Sequence, residues 1–197
     1  MIYIKDDFLD KDLFKYVKDF LKKSKWKTIT VGPKNDFNFD IKYIEPDQKF
    51  IVYLQTWLSI IERSEVSILR SFFRKSNKNF DTDWRIHNDS LVDGVQPDRA
   101  LVFYINKNKE DYLNGTAFWK HKHYGCKFEN YSIEEFNKLL REDSNDLRKW
   151  DLDYVIPHKQ NRLISYPCNY FHSKYPDKAK NRTVFVAFYT SKQYEIE

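Results

Sequence analysis

From about Glu65 onward the chain breaks into seven short β-rich runs: Val66–Phe73, Asp83–His87, Ala100–Ile105, Thr116–Lys120, Asp153–Ile156, Arg162–Tyr166 and Thr183–Tyr189. Turn-forming residues separate most of them. Seven strands at this spacing point to a sandwich or jelly roll. One helix interrupts the series at Ser132–Arg141, where Ser132, Glu134 and Glu135 suit a helix N-terminus. Ahead of the strands, Asp10–Lys23 carries Leu13, Phe14, Val17, Phe20 and Leu21 at helical spacing with lysines on the other face, and Asp47–Arg63 repeats the pattern with Phe50, Ile51, Leu54, Leu58 and Ile61. The expected fold is mainly β with N-terminal helices (α+β), a jelly roll or double-stranded β-helix. A helical support over about 7–64 packs on a core over about 65–191, in one domain spanning 1–197.

A chain of 197 residues buries a substantial core without disulfide or zinc staples. Aromatic residues make up 18% and glycines number only four, which supplies ring material for a core and little for flexible linkers. The net charge of +5, from 34 basic and 29 acidic residues, is spread along the chain. A solvated surface explains it, and contact with nucleic acid is permitted rather than favoured. Cys126 and Cys168 belong to no C-x-x-C pair and read as structural thiols. No basic region followed by an apolar run opens the sequence and nowhere do eighteen apolar residues follow one another, so a soluble, cytoplasmic protein with no membrane association is expected.

His87-Asn88-Asp89 ends one of the β-rich runs, and residues i and i+2 of a strand point to the same face. An imidazole and a carboxylate can therefore converge on one ion. Two histidines and one carboxylate on one side of iron(II) leave adjacent positions open, which an oxygen-activating centre requires. An H-x-D alone is weak, and His121, His123, His158 and His172 are all available as the third ligand. A 2-oxoglutarate cosubstrate chelating such an ion buries a distal carboxylate that needs a cation, and the planar fork of arginine suits it. Arg182 stands ten residues after His172 and opens the strand Arg182–Tyr189, whereas neither His158 nor His121 has a basic residue at that interval.

With these elements in order, the stretch from about Trp84 to Tyr189 resembles the 2-oxoglutarate and iron(II)-dependent oxygenases, especially the prolyl 4-hydroxylase-like branch. Those enzymes carry H-x-D early, a distal histidine late, and a basic residue about ten positions on, here His87, Asp89, His172 and Arg182. Phe103-Tyr104-Ile105-Asn106 is similar to the branch's Tyr-Leu-Asn strand, whose tyrosine also reaches the distal carboxylate. Asn114-Gly115-Thr116-Ala117-Phe118-Trp119 is similar to its Gly-Gly-x-Thr-x-Phe segment, with Asn114 replacing the first glycine. Gly115–Gly125 and Asn169–Ser173 also look like a group of uncharacterised bacterial and phage proteins of this superfamily. The resemblance implies a dioxygenase with His87, Asp89 and His172 as catalytic metal ligands, Arg182 and Tyr104 as 2-oxoglutarate-binding residues, and Fe(II), 2-oxoglutarate and O2 as cofactor and cosubstrates. It implies hydroxylation of a protein or peptide side chain, an amino acid or a small molecule, with release of succinate and CO2.

Strand alternation assigns Ala117, Trp119 and His121 to one face, and Val184, Val186 and Phe188 to the face of Arg182; both faces are expected to line the pocket. Each assignment has a plainer counterpart. Tyr104 can be a core tyrosine, Arg182 a surface ion pair, and His121 with His123 and His158 a separate metal group. Two other functions compete. A nucleic-acid dealkylase or base hydroxylase would suit the positive charge, but the dealkylating branch carries a second arginine six residues after the first, where this chain has Phe188. A non-enzymatic, cupin-like jelly roll holding a metal or ligand would need neither Arg182 nor Tyr104.

Overall fold

The computed structural model describes residues 1–23, 25–31, 37–45, 48–76, 83–89, 92, 95–107, 114–129, 132–175 and 182–192. Along the chain these form β1 (Tyr3–Lys5), α1 (Lys11–Lys23), β2 (Lys27–Val31), β3 (Phe37–Lys42), α2 (Lys49–Glu62), β4 (Glu65–Ser76), β5 (Arg99–Tyr104), β6 (Gly115–His121), α3 (Ile133–Glu142), β7 (Trp150–Pro157), β8 (Leu163–Pro167), β9 (His172–Tyr175) and β10 (Arg182–Lys192). The expected second helix began at Asp47, which lies outside the described residues.

Seven strands make one antiparallel sheet in the order β1-β8-β5-β10-β4-β3-β2, and three make a second in the order β7-β6-β9. The pairing is nested: β4 with β10, His87 with His172, β5 with β8, and β6 with β7. A single long hairpin wound on itself produces that nesting, and it is the jelly roll expected from the strand spacing. Two features differ from expectation. The support over about 7–64 is not purely helical, because β2 and β3 within it extend one edge of the large sheet, while β1 ahead of it extends the other. Asp83–His87 is not a regular strand: it pairs with β9 only through the isolated bridge at His87. The reason lies one residue earlier, where Ile86 N–H donates to Ser144 O (3.1 Å) and Ile86 O accepts from Ser144 Oγ (2.7 Å), so the turn after α3 takes the bonds a neighbouring strand would have made.

Period-two alternation splits the large sheet into two faces. Leu101 and Phe103 of β5, with Phe73, Phe185, Ala187 and Tyr189, pack outward against Phe14 and Val17 of α1 and Phe50, Leu54 and Leu58 of α2. Phe50 meets Phe185 edge-on at 4.9 Å between ring centroids. Each such fully buried ring contributes roughly 1.5–3 kcal/mol, which is why the amphipathic helices dock here. Ala100, Val102 and Tyr104, with Val184 and Phe188, face the other way, towards Phe118 and Ile156 of the small sheet. A third cluster of Ile86, Phe128, Leu139, Trp150 and Phe171 sits under α3. That helix starts on a reciprocal cap, with Ser132 Oγ accepting from Glu135 N–H and Glu135 Oε2 accepting from Ser132 N–H (2.8 Å). Among the described residues, no helix is long and apolar enough to cross a membrane.

Candidate metal centre

His87, Asp89 and His172 come together between the two sheets, and their ligand atoms all lie within 4.8 Å of one another. Backbone bonds fix the approach: His87 N–H donates to His172 O (3.0 Å) and His172 N–H to His87 O (2.8 Å). Asp89 N–H donates to Cys168 O (2.9 Å), so the segment carrying His87 and Asp89 is tied at both ligands to the chain entering β9. Asp89 Oδ2 then stands 3.2 Å from His172 Nε2, and Oδ1 stands 3.8 Å from His87 Nε2.

The ring nitrogens facing away decide what the inner ones offer. His87 Nδ1 lies 2.8 Å from Arg85 O, and His172 Nδ1 lies 3.0 Å from Tyr170 O. A carbonyl oxygen only accepts, so each Nδ1 carries a proton and each Nε2 is the nitrogen turned towards the triad. Burial, with the like charge of His172, holds the His87 imidazole below its usual pKa, which favours the neutral, ligating form. Burial alone would raise Asp89, but His172, His87 and Arg74 outweigh it and keep the carboxyl below the ordinary range, hence ionised. Two imidazoles and one carboxylate on one side of a cavity fit a divalent transition metal.

That cavity has a volume of about 240 Å3. Phe72, Val102, Val186 and Phe188 line it with the triad, and so does Arg182. Arg182 is 4% exposed; its Nη2 donates to Thr116 Oγ1 (3.4 Å), and its guanidinium carbon lies 5.5 Å from the Tyr104 ring centre. The Tyr104 hydroxyl shares a 2.7 Å hydrogen bond with the same Thr116 oxygen. Burial pushes the phenol above its usual pKa against the opposing charge of Arg182, so it stays protonated.

Of the residues expected to line the pocket, Phe188 does so, and Val186 beside it. Val184 is on the same face but is packed into the core with Tyr104 and Val102. Ala117, Trp119 and His121 lie elsewhere, because the inward face of β6 is Thr116 and Phe118, and the strand slips register between Phe118 and Trp119. Trp119 Nε1 donates to Ser173 Oγ (2.8 Å). His121 is held under α3: Nε2 lies 3.2 Å from Asp143 Oδ2, while Nδ1 accepts from the N–H groups of His123 and Tyr124. His158 is remote from both, with Nε2 donating to Asn106 O (2.7 Å), so His121, His123 and His158 form no ligand group among the described residues. The sequence reading missed Arg74, Asp83, Arg85, Thr116 and Lys174 as cavity residues. Asp83, Arg85, His87 and Asp89 all line the cavity at intervals of two, a parity already available from the H-x-D reading.

No family model matches this sequence, and no curated protein sequence does. Solved structures do match. A Pseudomonas putida prolyl-4-hydroxylase is 11% identical, with 97% of this chain and 93% of that one covered at a TM-score of 0.55. HygX from Streptomyces hygroscopicus, solved with nickel and 2-oxoglutarate bound, is 10% identical over 97% and 83% of the two chains, with a TM-score of 0.60. The viral collagen prolyl hydroxylase vCPH from Paramecium Bursaria Chlorella virus-1, in its 2OG complex, is 11% identical over 97% and 96%, again at 0.60. With its nested strands and the two-sheet interior that they enclose, this chain has the fold of the prolyl 4-hydroxylase-like 2OG-Fe(II) oxygenases.

Proposed function

We propose that the protein is an Fe(II)- and 2-oxoglutarate-dependent dioxygenase that hydroxylates a C–H bond of a small-molecule, amino-acid or peptide substrate, releasing succinate and CO2. The observation that carries this reading is the sharing of one cavity by the His87–Asp89–His172 triad and the buried Arg182. A metal-binding jelly roll without redox chemistry has no use for a guanidinium buried in the same space.

His87 and His172 would hold the metal through Nε2 and Asp89 through its carboxylate, with the carbonyls of Arg85 and Tyr170 keeping both rings in the ligating tautomer. When bound, iron with 2-oxoglutarate and O2 supplies the two-electron oxidation that inserts one oxygen atom into the substrate and the other into succinate. Arg182 would pair with the distal carboxylate of 2-oxoglutarate, and Thr116 and Tyr104 orient the guanidinium by fixing one of its nitrogens. The apolar wall of Val102, Val186 and Phe188 keeps water from the reacting carbon and strengthens each charge interaction at the triad.

Iron-loaded protein incubated aerobically with 2-oxoglutarate is expected to release succinate, slowly without substrate. Arg182→Leu should keep its metal but weaken 2-oxoglutarate binding roughly 10- to 150-fold, the loss of one or two charge-assisted hydrogen bonds. Wild-type protein that binds neither manganese nor 2-oxoglutarate in calorimetry would refute the reading.

A further inference from the structure

Tyr104, Tyr166 and Tyr189 are the bulkiest of the fully buried side chains among the described residues. Two of the three hydroxyls are bonded within the protein, Tyr104 to Thr116 Oγ1 (2.7 Å) and Tyr189 to Ser165 Oγ (2.8 Å) and Glu62 Oε1 (2.7 Å). The Tyr166 hydroxyl makes no hydrogen bond among the described residues. It is not closed in by apolar atoms either, so it opens on the cavity that Tyr166 lines. A buried phenol is almost always paired, and leaving one unpaired is costly. The partner is therefore expected from what enters the cavity.

The strand sets where the group stands. Along β8, Leu163 joins the core under the helices and Ser165 bonds to Tyr189 on that side, while Ile164 and Tyr166 turn the other way. Tyr166 pairs with Ala100 of β5, and its ring reaches across to the small sheet. There the ring centre lies 4.8 Å from that of His172 and 5.0 Å from that of Phe118, which it meets edge-on at 85°. The phenol is thus held against a metal ligand, in the cavity that Arg182 shares. Burial first, then the Asp89 carboxylate, raise it well above its usual pKa against the pull of Arg182, so it stays protonated and acts as a donor. The keto acid of the proposed reaction has acceptor oxygens at both ends. Arg182 and Tyr104 serve its distal carboxylate, and the ring contact with His172 assigns Tyr166 to the end that the metal holds.

We infer that Tyr166 is a further cosubstrate-binding residue, its hydroxyl donating to an oxygen at the metal-binding end of the keto acid. The inference rests on the oxygenase reading above and adds to it a residue that acts on the same ligand.

The test compares wild type with Tyr166→Phe, which removes one oxygen and keeps the ring. Manganese-loaded protein is titrated with 2-oxoglutarate by calorimetry and with pyruvate by paramagnetic broadening of the pyruvate methyl proton line. Pyruvate has the metal-binding end and lacks the distal carboxylate. Tyr166→Phe should weaken both ligands by the same factor, about tenfold. Arg182→Leu should weaken 2-oxoglutarate and leave pyruvate as in wild type. Thermal unfolding of the metal-free protein gives a second readout: with no partner to lose, Tyr166→Phe should keep or raise Tm, whereas Tyr189→Phe, which loses bonded partners, should lower it. Wild-type affinity for both keto acids in Tyr166→Phe overturns the inference. So does a loss confined to 2-oxoglutarate, which would move the hydroxyl to the distal carboxylate. A metal-free Tm lowered as far as in Tyr189→Phe also overturns it, by showing that the hydroxyl is paired within the protein. Failure of the wild type to bind manganese or 2-oxoglutarate appears before any variant is compared, and overturns the oxygenase reading itself.

Discussion

Replacing Gly115 by alanine tests how closely the two sheets are built around the site. A β-carbon on Gly115 would sit 2.0 Å from Ile156 O, 2.9 Å from His158 N and 3.0 Å from Ile156 C, all backbone atoms. Real contacts are essentially never under 3.0 Å, so β6 and β7 must part by about 1 Å or more. The strand cannot yield sideways, since Gly115 is paired with Pro157 on one side and Tyr175 on the other. Overpacking of this kind costs about 3 kcal/mol, which for a chain of this length lowers Tm by about 6–12 °C. The displaced strand carries Thr116, whose oxygen joins Tyr104 to Arg182. Loss of that one hydrogen bond, worth about 1 kcal/mol, should weaken 2-oxoglutarate binding about fivefold. Thermal unfolding by circular dichroism and calorimetric titration of the manganese-loaded protein read the two effects. Gly125→Ala is the control: an added β-carbon meets nothing within 4 Å, and its φ of +79° brings backbone strain alone, so stability falls slightly and keto-acid affinity stays. A Gly115→Ala protein with wild-type Tm and affinity would refute the reasoning.

Two further outcomes follow from groups away from the metal ligands. The Tyr189 hydroxyl donates to Glu62 Oε1 (2.7 Å) and accepts from Arg99 Nε (3.1 Å), with Ser165 Oγ at 2.8 Å, so Tyr189→Phe should cost about 1–3 kcal/mol, seen as a lower urea midpoint at unchanged m-value; an unchanged midpoint would show the cluster to be idle. Burial holds His158 down to about 4 from the usual 6.5, so between those values the unfolded chain takes a proton that the folded one refuses. Stability therefore falls as pH drops from 6.5 towards 4, by a total of order 3 kcal/mol from this group, and His158→Gln should show a flatter profile in urea unfolding; parallel profiles would count against the assignment.

The helices and most strands were legible because their patterns are strong. α1 and α2 show one apolar stripe each, and β4, β5, β8 and β10 are rich in β-branched and aromatic residues. What escaped was decided by tertiary contact. β9 has four residues and acquires its identity only by pairing with β6 and with His87. β2 and β3 lie outside the apolar runs and join the large sheet through Asp40–Lys42 beside β4. The face of β6 was misassigned for a physical reason: residues 115–118 are buried on both sides, so no polar–apolar alternation marks which side is inward. The triad was the opposite case, since His87 and Asp89 declare themselves by spacing while His172 needed the arginine ten residues later to single it out among five histidines.

β5 and β10 carry alternate residues for two different neighbours, the helices on one side and the cavity on the other. Inheritable change can therefore act on these strands one residue at a time without mixing its effects. Position 103 tunes how firmly the helical layer adheres, while positions 102 and 186 reshape what the cavity accepts. A lineage, or an engineer, could exchange the guest of such a barrel while leaving its buttress untouched.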